Sequence, residues 1–429
     1  MHIPTLAAIA DIKLSAADKG LPARAGGMTI RDFLASQPTL DEFWTPLLVL
    51  DRENLSRNIG ALAGWCANAG FELMPHGKTS MSPQLWAEQL AAGATGITLA
   101  TMGQVRVARE FGFDSILLAN ELTDPLAVQY IAAELNNSGL EFLCWVDSVE
   151  GVAALEQALE GIELRRPINV CVELGAAHGR TGARSVAEGV AIGRRLAAAP
   201  KVRLAGVGGY EGALAHDRSP AEVAAVRAFL RAQLELHSAL KEFYDSEPAI
   251  VTVGGSAYFD LVAEEFAEAM AADRRTRWVL RSGSYVTHDD GYYREVSPLA
   301  DTGADSGPRS GTLRAAMHGM ARVLSNPEPG LALLDGGKRD FAHDWGLPIP
   351  MGRAAGLGQA MEPLAGAKVT AVNDQHAFVE FDPATALPVG SVVQLGLSHP
   401  CTAFDKWRFI PVVEQPGSNR VVDLLPTYF

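Results

Sequence analysis

Eight short runs of β-branched and apolar residues punctuate the chain between residues 72 and 285, and most are followed by a stretch with helical spacing. The runs are ELMPHGK (72–78), GITLAT (96–101), SILLANE (115–121), EFLCWVD (141–147), INVCVELG (168–175), RLAGVGGYEG (203–212), AIVTVGGS (249–256) and RWVLRSGSY (277–285). Between them lie alanine- and leucine-rich segments such as SPQLWAEQLAAG (82–93), GQVRVAREFG (103–112) and SVAEGVAIGRRLAAA (185–199). Apolar strands alternating with helices predict an α/β fold with a parallel sheet, and eight strands are the number that closes a (β/α)8 barrel. An open doubly wound sheet is the alternative. After about residue 286 the alternation fades into glycine, proline and short alternating strands (GLALLDGG, AKVTAVND, HAFVEF, GSVVQLG), which predicts a second, mostly β domain. The expected division is an N-terminal extension (1–45) packing on the β domain, a barrel (46–285) and a C-terminal β domain (286–429). WTPLLVLD (44–51) reads as a strand entering a helix at 53–70, and DTGADSGPRSG (301–311) as an exposed loop.

Composition narrows the class. A chain of 429 residues that is 48% hydrophobic and 20% charged can bury a large core. Its formal charge of −14 argues against nucleic acid or an acidic membrane as partner, since both need basic patches. No apolar run reaches the roughly eighteen residues of a membrane helix, and no basic-then-apolar leader opens the chain, so the expected location is cytoplasmic. Cys66, Cys144, Cys171 and Cys401 are scattered without a CxxC pair. The first three read as small buried apolar residues.

In a (β/α)8 barrel the chemistry sits at the carboxyl ends of the strands, and these ends are unusually polar here. They hold His76 and Lys78, Thr101, Asn120 and Glu121, Asp147, Glu173 with Arg180, Tyr210 with Glu211, Gly254-Gly255-Ser256, and Arg281 to Tyr285. Strand ends also meet water, so any one of these residues is explained as well by its contact with solvent alone. Lys78 stands apart. A lysine leaving a buried strand is desolvated, which lowers its amine pKa and suits it to attack an aldehyde, as a Schiff base with pyridoxal phosphate requires. The turns TVGGSAYF (252–259) and RSGSY (281–285) follow the last two strands, the usual phosphate site of this barrel, and their glycines let backbone N–H groups approach phosphate oxygens.

Together PHGKT (75–79), HGRTG (178–182), GVGGYEG (206–212), VGGS (253–256), RSGSY (281–285), NDQH (373–376) and HPC (399–401) resemble the fold-type III pyridoxal phosphate enzymes of the D-threonine aldolase and D-serine dehydratase family. The resemblance implies an alanine-racemase-like barrel followed by a β domain, assembled as a homodimer with composite active sites. It implies Lys78 as the Schiff-base lysine with His76 beside the cofactor, Arg180 near the phenolic oxygen and Tyr210 against the ring. Gly254, Gly255, Ser256, Gly283 and Ser284 resemble the phosphate contacts, and Arg281 the arginine that faces the pyridine nitrogen in related racemases. An arginine there limits the ring as an electron sink and leaves more work to a metal.

His399 and Cys401 are two apart, so in an extended segment their side chains leave the same face. On spacing alone, a packed cysteine near a surface histidine is the simpler reading. The resemblance reverses that, because a His-x-Cys pair near the carboxyl terminus resembles the zinc ligands of D-serine dehydratases, whereas D-threonine aldolases typically carry aspartate at the second position. Imidazole with thiolate favours zinc, and manganese or magnesium would suit an oxygen ligand in place of the sulfur. The expected substrate is a small D-amino acid with a β-hydroxyl, D-serine-like. Lys78 would remove the α-proton while the metal turns the hydroxyl into a leaving group, giving a keto acid and ammonia. The alternative is aldolase cleavage to glycine and an aldehyde. An amino acid racemase or a cofactor carrier is a lesser alternative. His376 resembles a family histidine that could act as a base, although Asp374 and Gln375 depart from the motif. Ser80 and Met81 also depart from the histidine and lysine that often follow PHxKT, so a bulkier substrate such as D-glucosaminate or a hydroxyaspartate fits the pattern too.

Overall fold

The computed structural model describes residues 6–244, 248–301 and 311–429. The expected loop at 301–311 lies almost entirely outside the described residues. The chain divides into two compact units, one comprising Ala63–Lys78 and Gln89–Gly283, the other the chain up to Leu62, Thr79–Glu88 and everything from Ser284 onward.

β1 (Leu47–Asp51) belongs to the second unit. The first unit is built on β2 (Glu72–Leu73), β3 (Ile97–Leu99), β4 (Ser115–Glu121), β5 (Glu141–Val146), β6 (Ile168–Leu174), β7 (Val202–Gly209), β8 (Ile250–Val253) and β9 (Arg277–Leu280). They form one eight-stranded sheet in the order β2-β9-β8-β7-β6-β5-β4-β3, and every pair is parallel. A parallel bridge between His76 and Thr98 joins β2 to β3 and closes the barrel. The eight strands are the eight apolar runs of the sequence, and the fold is α/β and alanine-racemase-like as expected, with the other unit built on a mostly antiparallel β sheet.

Strands buried on both faces need apolar residues at successive positions, and β3 and residues 116–118 of β4 show this. The lumen is filled by Met74, Leu117, Leu143, Trp145, Cys171, Ala205 and Val279. Gly206 on β7 makes the close approach to β8 possible, since a Cβ there would stand 1.8 Å from the Ile250 carbonyl oxygen. Several crossover helices start on a side-chain cap: Thr101 accepts from the Gln104 N–H, Ser148 from Gly151 and Ser185 from Glu188. Each such cap is worth about 1 kcal/mol.

The β unit is centred on β10 (Met317–Glu328). β10 pairs antiparallel with β1 on one side and with Val392–Gly396 on the other, while β1 pairs in parallel with Phe409–Val413. β1 and Phe409–Val413 are buried along their whole length. The expected domain division placed residues 46–51 with the barrel; their hydrogen bonds go to this sheet instead. Burial on both faces gives LLVL the same look as a barrel strand, and nothing local names its partner.

Cys66, Cys144 and Cys171 are buried free thiols, and burial pushes the thiols of Cys66 and Cys171 up to about 12. His237, on the helix Pro220–Leu240, is 3% exposed with Nδ1 2.8 Å from the Tyr244 hydroxyl. Burial, then the charge of Lys241, pushes its ring down to about 4. The ring therefore stays neutral in the fold while the unfolded chain takes up a proton below about pH 6.5. Stability from this group is present above that pH and is lost as pH falls toward 4, by up to about 3 kcal/mol. Urea unfolding at pH 7 and pH 5 should show the loss, and His237→Gln, which cannot take the proton, should flatten it.

Candidate active site

The barrel unit gathers positive charge at its mouth. Lys78 lies in a single 3-10 turn, Gly77–Thr79, that follows β2 because Pro75 ends the ladder. His76 is held neutral: burial drives its pKa well below the usual range, and the charges of Lys78, Arg281 and Arg180 add to that. Its Nδ1 is buried without a hydrogen-bond partner among the described residues. Three cations acting on one imidazole mark a place suited to an anionic group, and the orphaned nitrogen is free to meet one.

Arg281 lies deeper. It is 4% exposed, donates to Thr252 Oγ1 at 2.7 Å and to the Gly209 carbonyl at 2.5 Å, and sits 4.8 Å over the Trp145 ring. Burial pulls its pKa down to about 10, against the support of Glu211 and Glu173, so it remains charged at neutral pH. Arg180 lies 4.7 Å over the Tyr210 ring. Gly283 packs against the lysine loop so tightly that a Cβ would meet the His76 carbonyl oxygen at 2.5 Å.

The glycine turn after β8 is already engaged. Glu211, fully buried, accepts from the Gly254 N–H at 3.0 Å and from the Gly255 N–H at 2.8 Å, one carboxylate oxygen each. A phosphate oxygen would have to displace this carboxylate to use those amides, which leaves Ser256, 6% exposed, and the Gly283–Ser284 turn as the phosphate contacts compatible with the present arrangement. Glu211→Gln keeps one acceptor oxygen and so strands one buried amide. The expected cost is roughly 1–3 kcal/mol, read from the urea midpoint.

Glu121, Asp147 and Glu173, at the ends of β4, β5 and β6, have carboxylate oxygens within 4.8 Å of one another. Burial, then the hydrogen bond and charge of Glu173, pushes Glu121 up to about 8, so this group of acids holds a proton at neutral pH.

In the β unit, His399 and Cys401 come together on a short turn rather than an extended strand. His399 has a left-handed backbone, φ 63°, and Pro400–Thr402 form a 3-10 turn. Asp289 holds that conformation by accepting the His399 N–H at 2.8 Å and the Tyr293 N–H at 2.8 Å. Asp344 fixes the ring: His399 Nδ1 is 2.7 Å from one carboxylate oxygen, and the Thr402 hydroxyl donates to the other at 2.7 Å. Trp345 and Tyr293 flank the imidazole at 6.0 and 6.4 Å between ring centres. Burial opposes charge on both members of the pair, yet their mutual hydrogen bond and charge win: His399 is pushed up to about 9, helped by Asp344, and the Cys401 thiol is brought down, helped by Ser284 and Thr79. The imidazole and the sulfur thus support each other's charge at a place where a metal ion could bind. The donor set fits a thiophilic divalent ion such as zinc.

His376 lies exposed at the turn between the strands Lys368–Val372 and Ala377–Glu380, where its carbonyl accepts from Asn373 at 2.8 Å. Gln375 in the same turn reaches Asp340 at 3.1 Å. Sequence reasoning passed over Thr79, Asp289, Asp344 and Trp345. Only Thr79, beside the lysine, carried a positional signal.

A lysine at the mouth of an alanine-racemase-like barrel, with an anion-suited surround, is an arrangement that fits a phosphorylated aldehyde cofactor such as pyridoxal phosphate. The family profile "Putative serine dehydratase domain" matches residues 316–413. A D-threonine aldolase of Arthrobacter sp is 28% identical over 358 residues, covering 83% of this chain and 85% of its own length. A D-threo-3-hydroxyaspartate dehydratase of Delftia sp. (strain HT23) is 27% identical over 405 residues, covering 91% of this chain and 99% of its own. Among solved structures, a cysteine-to-alanine variant of a D-threo-3-hydroxyaspartate dehydratase in the metal-free form superposes with a TM-score of 0.70 at 24% identity, covering 91% of this chain and 99% of that one. These matches support a relationship of the chain to the D-threonine aldolases and D-threo-3-hydroxyaspartate dehydratases. No helix among the described residues is long and apolar enough to cross a membrane.

Proposed function

We propose that this chain is a pyridoxal phosphate- and divalent metal-dependent lyase that dehydrates and deaminates a D-β-hydroxy amino acid, D-serine-like, to a keto acid and ammonia. The observation that carries the reading is the His399–Cys401 pair on one short turn, with the His399 ring oriented by Asp344. When bound, the cofactor withdraws electrons from the substrate's α-carbon and the metal polarises its β-hydroxyl.

The protein's own groups do the rest. Lys78 Nζ would hold the cofactor aldehyde and, when free, would accept the α-proton of the substrate. Arg281 keeps a fixed positive charge in a dry pocket at neutral pH. Ser256, Gly283 and Ser284 are the proposed phosphate contacts, and Arg180 and Tyr210 the groups beside the ring. His399 and Cys401 hold the metal, and a homodimer is part of the proposal. His376, on its exposed turn, is assigned no step.

A second reading, cleavage of Cα–Cβ to glycine and an aldehyde, is favoured by the D-threonine aldolase similarity over 83% of the chain. Cys401 supports the dehydratase, since aldolases of this family typically carry an aspartate there. Product analysis separates the two. Holoenzyme with zinc or manganese is given D-serine and D-threonine in turn, and keto acid with ammonia is assayed against glycine with aldehyde. Keto acid lost on chelation supports the dehydratase, and glycine with acetaldehyde from D-threonine replaces it by the aldolase.

A further inference from the structure

We propose that Glu121, Asp147 and Glu173 form a second metal site at the barrel mouth, one that takes a hard, hydrated divalent cation such as magnesium or manganese. The inference does not rest on the lyase reading, and the site is separate from the His399–Cys401 pair. Every residue in it belongs to the barrel unit.

Strand periodicity builds the site. Leu117, Leu143, Trp145 and Cys171 fill the lumen, and on a strand every second side chain leaves the same face. Glu121, Asp147 and Glu173 each stand an even number of positions beyond a lumen residue, so β4, β5 and β6 carry three carboxylates to the upper rim of the lumen. There one oxygen of each lies within 4.8 Å of the others. Ligand oxygens around a single magnesium or calcium ion stand about 3–5 Å apart. None of the three acids has an ion-pair partner among the described residues. Asp147 accepts one backbone donor, the Gly182 N–H at 3.1 Å, and Arg281, the buried cation of this mouth, gives its hydrogen bonds to Thr252 and Gly209.

Two kinds of unmatched atom identify the ligand. Glu121 Oε1 and Glu173 Oε2 are buried without a hydrogen-bond partner among the described residues, and Glu173 is 5% exposed. These oxygens call for a donor or a cation. Trp145, 4% exposed, keeps Nε1 without a partner as well, and an indole N–H only donates, so it calls for an oxygen. Register brings that N–H to the same place. Trp145 is level with Glu121 across β4 and β5, and a Cβ on Gly208, which is level with Glu173 across β6 and β7, would stand 2.7 Å from Nε1. A proton shared between Glu121 and Glu173 answers those two acids alone, and an alkylammonium brings no acceptor oxygen. A hydrated cation answers all three groups, because the ion meets the carboxylates while one of its waters accepts from Trp145. Magnesium keeps several waters when carboxylates bind it, and an all-oxygen site suits magnesium, calcium or manganese rather than the thiophilic ion that fits Cys401.

The test uses the full chain with one equivalent of zinc added to fill the thiolate site. Bound manganese is counted from the loss of the free ion's electron paramagnetic resonance signal. The native protein should take up one manganese per chain, which excess magnesium displaces and potassium at matched ionic strength does not. Glu173→Gln and Asp147→Asn keep the side-chain shape and remove the charge, and each should weaken manganese by at least about tenfold while zinc binding stays as it was. A native chain that binds no manganese beside its zinc, manganese that potassium displaces, or manganese affinity that both variants retain overturns the inference. Should a variant not fold, the native melt decides: saturating manganese should raise its midpoint, and an unmoved midpoint overturns the site.

Discussion

Lys78→Ala should leave a folded protein that no longer holds the cofactor aldehyde covalently and that has lost activity by about 10³-fold or more. The size follows from two jobs resting on one nitrogen. Nucleophilic capture of the aldehyde and abstraction of the α-proton are both assigned to Nζ, and a positioned general base alone contributes about 10²–10⁴-fold. The fold should not suffer, because Lys78 is half-buried in a single turn and outside the barrel's hydrogen-bonded ladder. The visible absorbance of bound cofactor and the turnover number, measured beside a circular-dichroism melt, check the prediction together. A melt unchanged with activity above a tenth of native would remove Lys78 from the mechanism.

Cys401→Ala should cost at least about 10²-fold in zinc affinity and a comparable factor in turnover, since a Lewis acid contributes several kcal/mol to a departing hydroxide. Chelation of the native protein should mimic the variant. Added zinc should rescue the chelated native enzyme but not Cys401→Ala at the same concentration. Asp344→Asn gives the intermediate case: the ring keeps a hydrogen-bond partner but loses the carboxylate behind Nδ1, and losing the carboxylate that orients a ligating imidazole weakens metal binding about 10–100-fold. If dialysed native protein binds no zinc and chelators leave its turnover intact, the pair is structural, and the aldolase or racemase chemistries must be judged without it.

The barrel was legible because parallel strands buried on both faces read as continuous apolar runs, and the helices between them keep a different period. The run ELMPHGK contracts to the two paired residues Glu72–Leu73, since Pro75 offers no amide and the chain turns at Gly77. LLVLD carried the same apolar signal and went to the other sheet, because patterning reports burial and not partner. At the site, Lys78 and the His399–Cys401 pair stood out by residue type and local order. Asp344 and Asp289 did not: they lie 55 and 110 positions from His399, and their work is a hydrogen bond that only the fold creates. Glu211 was visible as a polar strand end, but that its carboxylate spans two glycine amides depends on the register of β7 against β8.

The closure of the barrel beside Lys78 has a mechanical meaning. β6 and β7 are matched over seven residue pairs, whereas β2 meets β3 through the His76–Thr98 bridge and the hydrogen bonds that Thr95 and Thr98 donate to Leu73, Met74 and Pro75. In a closed hoop, deformation gathers where the fastening is lightest. β2 is lightly fastened on its other side too, where only Glu72 and Leu73 pair with β9, so the compliance a lysine needs to leave and regain its aldehyde is gathered at the strand it follows.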